Sequence, residues 1–135
     1  MKGHTAIVLD SWAIMAYFQD EPAAEAIAEA IADANASGIP LLVSVVNVGE
    51  VWYAMARRGS VKDADEIVRD IRDLGIRSID NDWNLTKIAA GYKTPGGISY
   101  ADCFAAALAK QANATLVTGD PEFKRLEREI SISWL

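Results

Sequence analysis

Acidic residues at four points in the chain have types and spacing suited to binding a divalent cation. Asp10 and Asp120 each end an apolar run, and Glu50 and Asp102 lie within segments that have apolar-faced helical patterns. Acids that punctuate the apolar segments of one small domain predict a single carboxylate cluster. Such a cluster repels itself unless protons or metal ions neutralise it. With Mg²⁺ or Mn²⁺, cations that prefer oxygen ligands, it becomes a site that can hydrolyse phosphodiesters.

Each acid also has a purely structural interpretation. Asp10 and Asp120 are favoured N-cap residues, and Ser99 with Asp102 has the form of a capping box. Glu50 is harder to explain in this way, because it falls in mid-helix; the alternative is a partly exposed side chain beside Arg57. If Glu50 is buried, its carboxylate needs a partner, and a metal ion is one.

Short polar side chains stand beside these acids. Ser11 follows Asp10, Asn47 lies one helical turn before Glu50, and Thr118 precedes Asp120 by two residues. Hydroxyl and amide groups of this kind orient carboxylates and waters around metal ions, although each is equally suited to a turn or a cap.

Length and composition bound the remaining possibilities. The 135 residues predict one domain, spanning 1–135, and half of them are apolar, which suffices for a sizeable core. The net charge of −6 disfavours a nucleic-acid partner, but removing the four acids leaves only −2 elsewhere. The single cysteine, Cys103, is expected in the core, and the single histidine, His4, is expected to be incidental. Because the chain shows neither a signal peptide nor a membrane-spanning run, we expect a cytoplasmic protein.

The hydrophobic pattern predicts strands that alternate with helices. Strands are expected over residues 5–10, 41–44, 76–79 and 115–118, with a candidate fifth over 130–132. The intervening helices are expected over 11–18, from Pro22 to about 37, 45–58, from Ser60 to Gly75, from about 83 to 92, over 99–112, and briefly after Pro121. Nearly continuous apolar strands indicate a parallel sheet of four to five strands covered on both faces, a three-layer α/β/α fold. Asp10 and Asp120 then fall at the carboxyl ends of strands, where such sheets carry their active sites.

Four short motifs stand out in the sequence: Val8-Leu9-Asp10-Ser11, Asn47-x-x-Glu50, Ser99-x-x-Asp102-x-x-x-Ala106-Ala107 and Leu116-Val117-Thr118-Gly119-Asp120-x-x-Phe123. Together these motifs resemble those of the PIN-domain nucleases, in particular the VapC-type toxins of bacterial type II toxin–antitoxin systems. They occur in the family's order and span nearly the whole chain.

The resemblance implies specific roles. Asp10, Glu50, Asp102 and Asp120 would be the catalytic, metal-binding acids, holding one or two Mg²⁺ or Mn²⁺ ions. The supporting polar residues would be Ser11, Asn47 and Thr118. Many relatives carry Asp two residues after the last acid, where this chain has Glu122, and we hold Glu122 as a further candidate. The resemblance also implies an RNA substrate, a homodimer and a cognate antitoxin that holds the enzyme inactive.

Other functions fit the residues less well. A haloacid-dehalogenase-like phosphatase would carry a second Asp where Trp12 stands, and a phospho-receiver domain would end its late strand near a Lys, where this chain has Asp120. A PIN-like binding or regulatory module with negligible turnover, acting within an antitoxin complex, stays open as the alternative.

Overall fold

A computed structural model describes residues 6–135 as five strands, six α-helices and one 3₁₀ helix. The strands are β1 (Ile7–Leu9), β2 (Leu41–Ser44), β3 (Ile76–Ile79), β4 (Thr115–Thr118) and β5 (Ser131–Trp134). The α-helices are α1 (Ser11–Phe18), α2 (Ala24–Ser37), α3 (Val45–Arg58), α4 (Val61–Asp73), α5 (Trp83–Lys93) and α6 (Tyr100–Gln111). The 3₁₀ helix covers Pro121–Leu126. His4 and the start predicted for the first strand, at residue 5, lie outside the described residues.

The five strands form one parallel sheet in the order β3-β2-β1-β4-β5. This confirms the predicted parallel sheet. The chain leaves β1 toward β2 and β3, then crosses back to β4 on the other side of β1. The order therefore reverses between β1 and β4, where Leu9 pairs with Val117, and open α/β sheets bind ligands at such a switch point.

Alternate residues of each strand face opposite sides of the sheet, and each side carries its own core. Ile7, Leu9 and Val117 pack with α1 to α4, whereas Val8 and Leu116 pack with α5, α6 and the 3₁₀ helix. The fold is therefore the expected three-layer α/β/α arrangement. In accord with prediction, Cys103 is buried in the second core, and burial raises the pKa of its thiol to about 11.

Helix termini follow the capping residues in the sequence. Ser60 accepts a hydrogen bond from Asp63 N, Ser99 from Asp102 N, and Asp82 from Leu85 N. The second helix begins at Ala24 rather than in a first turn that contains Pro22, because its N-cap, Ala23, offers no side-chain acceptor and leaves the start to backbone bonds. Within residues 6–135, no helix combines the length and apolar character needed to cross a membrane.

Candidate functional site

The candidate site lies at the carboxyl end of the two central strands. Asp10 directly follows β1, and Asp120 follows β4 by two residues. Because β1 and β4 are hydrogen-bonded neighbours, their carboxyl ends place the two acids at the same edge of the sheet. Asp10 also caps α1, and Asp120 caps the 3₁₀ helix. Asp10 and Asp120 are therefore N-cap residues and also lie at the same edge of the sheet, so the two interpretations of these acids are compatible.

Asp10 is fully buried, and both of its oxygens accept hydrogen bonds. Oδ1 accepts from Ala13 N at 2.9 Å, and Oδ2 accepts from the Thr118 hydroxyl at 2.6 Å. The pKa of Asp10 is raised to about 7, chiefly by burial and also by the nearby charge of Asp120, while the two hydrogen bonds partly offset the rise. Among residues 6–135, the hydrogen-bond donors to this carboxyl are neutral groups.

Thr118 connects the two strand ends. Its hydroxyl donates to Asp10 Oδ2 and accepts from Asp120 N at 3.0 Å, and the residue is fully buried. One side chain therefore fixes both an acid and the backbone that carries the next acid, and its supporting role in a metal site stays a prediction.

Asp102, Asp120 and Glu122 bring their carboxylate oxygens within 4.8 Å of one another. Asp102 lies at the third position of α6, where its backbone N–H donates to Ser99. Burial raises the pKa of Asp102 to about 8, with further contributions from the charges of Asp120 and Asp10 and from a hydrogen bond with Glu122. Like charges this close need a proton or a cation between them.

Glu122 is more central than its sequence suggests. Pro121 opens the 3₁₀ helix, whose tight turn brings Glu122 back toward α6, and Glu122 Oε1 accepts a hydrogen bond from Ser99 N at 2.9 Å. Ser99 thus contacts two acids of the group, through its hydroxyl and through its backbone. The sequence showed an acid two residues after Asp120, but no local pattern indicated where the side chain of Glu122 would lie.

Glu50 lies apart from the group of three acids. It is half-buried on α3, and its Oε1 accepts a 2.8 Å hydrogen bond from Asn47 Nδ2, which also donates to the carbonyl of Ala101 at 3.2 Å. Asn47 therefore joins Glu50 to the residue before Asp102. Arg57, the alternative partner, instead lies over the Tyr53 ring at 5.2 Å. Ser11 is half-buried at the start of α1.

The chemistry of these residues fits a divalent cation. Three carboxylates supply clustered oxygen ligands, which Mg²⁺ and Mn²⁺ prefer, and the raised pKa values of Asp10 and Asp102 mean that a proton or a cation is needed to offset their charge. The fully buried Asn47 Oδ1 has no hydrogen-bond partner among the described residues, so this amide oxygen is left over for a donor such as an ordered water.

Comparison with known proteins gives this site its context. The sequence model of the PIN domain matches residues 7–129. The chain belongs to the PIN domain family. PIN domain proteins are nucleases, and PIN nucleases use divalent metal ions. No curated protein matches the sequence.

Solved structures share the PIN fold along nearly the whole chain. VapBC2 from Rickettsia felis, bound to a DNA fragment from its promoter, has 19% identity, a TM-score of 0.77 and coverage of 95% of this chain and 97% of that one. VapBC-1 from nontypeable Haemophilus influenzae has 16% identity, a TM-score of 0.72 and coverage of 96% and 97%. VapC20 from Mycobacterium tuberculosis, a toxin that cleaves the sarcin–ricin loop, has 14% identity, a TM-score of 0.69 and coverage of 93% and 96%.

Proposed function

We propose that this PIN domain is a metal-dependent endoribonuclease and the toxin of a toxin–antitoxin pair. The observation that carries the proposal is the group formed by Asp102, Asp120 and Glu122, whose carboxylate oxygens lie within 4.8 Å of one another at the switch point of the sheet. The fold of this chain is similar to those of solved toxin structures, one of which is a sarcin–ricin loop cleaving toxin, and this similarity supports an RNA substrate.

Asp102, Asp120 and Glu122 would hold the cation, with Asp10 and Glu50 completing the acidic site. A bound Mg²⁺ or Mn²⁺ would lower the pKa of its water and stabilise negative charge on the phosphate oxygens. The buried Asp10, held by Thr118, and the half-buried Glu50, held by Asn47, would add negative charge beside the cation and help to hold it. The products of such hydrolysis are a 5′-phosphate and a 3′-hydroxyl.

Incubation of the purified, antitoxin-free protein with total cellular RNA tests this function. We expect discrete fragments with Mg²⁺ or Mn²⁺, none with EDTA and none from Asp102→Asn. Asp63→Asn is the matched control, because Asp63 is an exposed acid in the first turn of α4 and should leave cutting unchanged. If folded protein cuts no RNA under any of these conditions, the nuclease proposal fails and the binding-module alternative gains.

An antitoxin segment would find an apolar groove beside the site. The groove has a volume of about 440 Å³ and is lined by Trp12, Glu21, Pro22, Ala23, Ala26 and Leu135. The Trp12 ring lies so close to Gly119 that a Cβ there would approach Trp12 Cη2 to 2.3 Å, so the groove adjoins the loop that carries Asp120. An apolar segment bound here would reach the carboxylates.

Binding of a candidate antitoxin, sought among the products of the genes adjacent to this chain's own, tests the groove. Ala26→Arg places a charge on an exposed position of the groove, so it should weaken the complex while leaving RNA cutting intact. An unchanged complex would exclude the groove as the antitoxin site. The expected homodimer remains a prediction, which light scattering of the purified protein would test.

A further inference from the structure

A second groove lies between α5 and the 3₁₀ helix. It has a volume of about 470 Å³, and its lining combines two exposed cations, Lys87 and Arg125, with the half-buried ring of Tyr92 and the exposed Pro95. Glu129 is the one acid in the lining. The lining therefore carries more positive than negative side chains, although the chain as a whole is acidic.

The 3₁₀ helix connects this groove to the acidic site. Glu122 and Arg125 are three residues apart, which places them on the same face of a 3₁₀ helix and about 6 Å apart along its axis. Glu122 bonds to Ser99 N, and Arg125 lies against Gly97, so both side chains contact the same loop.

Gly97 fits the guanidinium closely. A Cβ at Gly97 would approach Arg125 Cζ to 2.3 Å, and the backbone there has a φ of +82°, which favours glycine. The loop therefore allows Arg125 to lie directly on the backbone, one helical turn from the carboxylates. Lys93, whose ammonium donates to the Ile98 carbonyl at 2.7 Å, fastens the same loop to α5.

We infer that this groove binds the strand of single-stranded RNA that runs away from the scissile phosphate. The inference rests on the proposed function and adds to it the path of the substrate. Arg125 and Lys87 would contact successive phosphates, and the Tyr92 ring offers a face or edge to a base, a combination typical of grooves that bind single strands. A double helix is disfavoured, because stacking on Tyr92 needs an unpaired base.

Fluorescence anisotropy with a short, labelled single-stranded RNA tests the groove, in EDTA so that no cutting occurs. Replacing a phosphate-binding cation reduces the slope of log affinity against log salt by about 0.7. We expect this reduction of the salt slope for Arg125→Gln and a similar reduction for Lys87→Gln. Glu129→Gln should bind the RNA more tightly, because it removes a charge that repels the phosphates. Arg69→Gln, an exposed arginine of α4, is the matched control and should leave the slope unchanged.

The outcomes separate this inference from the proposed function. The RNA-binding role of the groove would be overturned if both cation variants kept the wild-type salt slope, or if the wild-type protein bound no RNA at low salt. Either result would count whether or not the protein cuts RNA with Mg²⁺. Reduced slopes in a protein that never cuts RNA would keep the groove and overturn the nuclease. An equal reduction of the salt slope in Arg69→Gln would also overturn the RNA-binding role of the groove, because the reduction would then reflect the net charge of the protein.

Discussion

At the scale of single residues, the candidate site contains acids that the fold buries. Among residues 6–135, the donors to the fully buried Asp10 carboxyl are neutral groups, Ala13 N and the Thr118 hydroxyl. Asp102 is buried beside two other acids. Neutral hydrogen bonds offset part of the cost of burying a carboxylate, and the rest is left for a proton or a metal ion.

Replacing Thr118 by Val should test how the acids are oriented. The variant keeps the shape of the side chain but removes the donor to Asp10 and the acceptor for Asp120 N, so we expect a loss of about 1–3 kcal/mol in unfolding free energy and weaker Mn²⁺ binding. Urea unfolding and metal titration measure the two effects.

Thr115→Val is the matched control for that experiment. Thr115 lies on the same strand and is buried, but its hydroxyl faces Ser131 at 3.4 Å, away from the acids. It should leave Mn²⁺ affinity unchanged, and Thr118→Ser should restore it. Equal Mn²⁺ affinities in wild type and Thr118→Val would show that the hydroxyl does not prepare the site.

The raised pKa values predict how pH affects the metal-free protein. Asp10 and Asp102 titrate near 7 and 8 when folded, against an ordinary 3.8, so the folded state binds more protons between these values. The contribution of these two carboxyls to stability is therefore fully present below about pH 4 and is lost as the pH rises toward 8. Urea unfolding across this range should show the fall, Asp102→Asn should reduce it, and saturating Mg²⁺ should restore stability at pH 8. A flat or rising profile for the metal-free wild type would contradict the buried-acid account.

At the scale of elements, three helix starts meet at one edge of the sheet. Asp10 caps α1, Asp120 caps the 3₁₀ helix, and Asp102 occupies the third position of α6. A parallel strand that runs into a helix puts the cap residue at the carboxyl end of the strand, so capping and site formation use the same positions.

A comparison of two N-cap serines separates the effect of helix capping on stability from an effect on metal binding. Ser99 and Ser60 both accept from a backbone N–H three residues on at 3.1 Å, but only Ser99 contacts Asp102 and Glu122. Each change to Ala should cost about 1 kcal/mol in thermal or urea unfolding. Only Ser99→Ala should also weaken Mn²⁺ binding. Equal metal affinities in the two variants would assign Ser99 a capping role alone.

Most elements could be predicted from the sequence because their signals are local. The strands β2, β3 and β4 coincide with the predicted ranges. β2 and β4 have apolar centres, and β3, which carries Arg77 and Ser78 between two isoleucines, begins directly after Gly75. The fifth strand was predicted over 130–132 but covers Ser131–Trp134, because its bounds follow its pairing with β4 and not its own apolar pattern. α2 begins at Ala24, later than the start predicted at Pro22, and its N-cap residue makes no side-chain hydrogen bond.

At the scale of the whole molecule, the arrangement of the acids was only partly accessible from the sequence. The hydrophobic pattern placed Asp10 and Asp120 at strand ends, and the observed sheet order brings them together. The spacing of Asn47 and Glu50, three residues apart on one helix, made their hydrogen bond accessible from the sequence. No local pattern indicated that Glu122 would join Asp102 and Asp120, because that contact depends on how the 3₁₀ helix packs against α6.

The distribution of charge is compatible with the proposed RNA substrate. The net charge of −6 includes the acids of the site, whose charge a bound cation would offset. The molecule also carries two grooves of different character, one largely apolar at Trp12 and one with cations at Lys87 and Arg125. We propose that the first receives an antitoxin and that the second receives the substrate.

Locating a bound cation is the most direct test of the central claim that these carboxylates form a metal site. Crystals of the protein grown with Mn²⁺ would show the ion by its anomalous diffraction. We predict a peak bounded by the carboxylates of Asp102, Asp120 and Glu122, and its loss in Asp120→Asn. No peak at saturating Mn²⁺, or a peak only at other residues, would contradict the account.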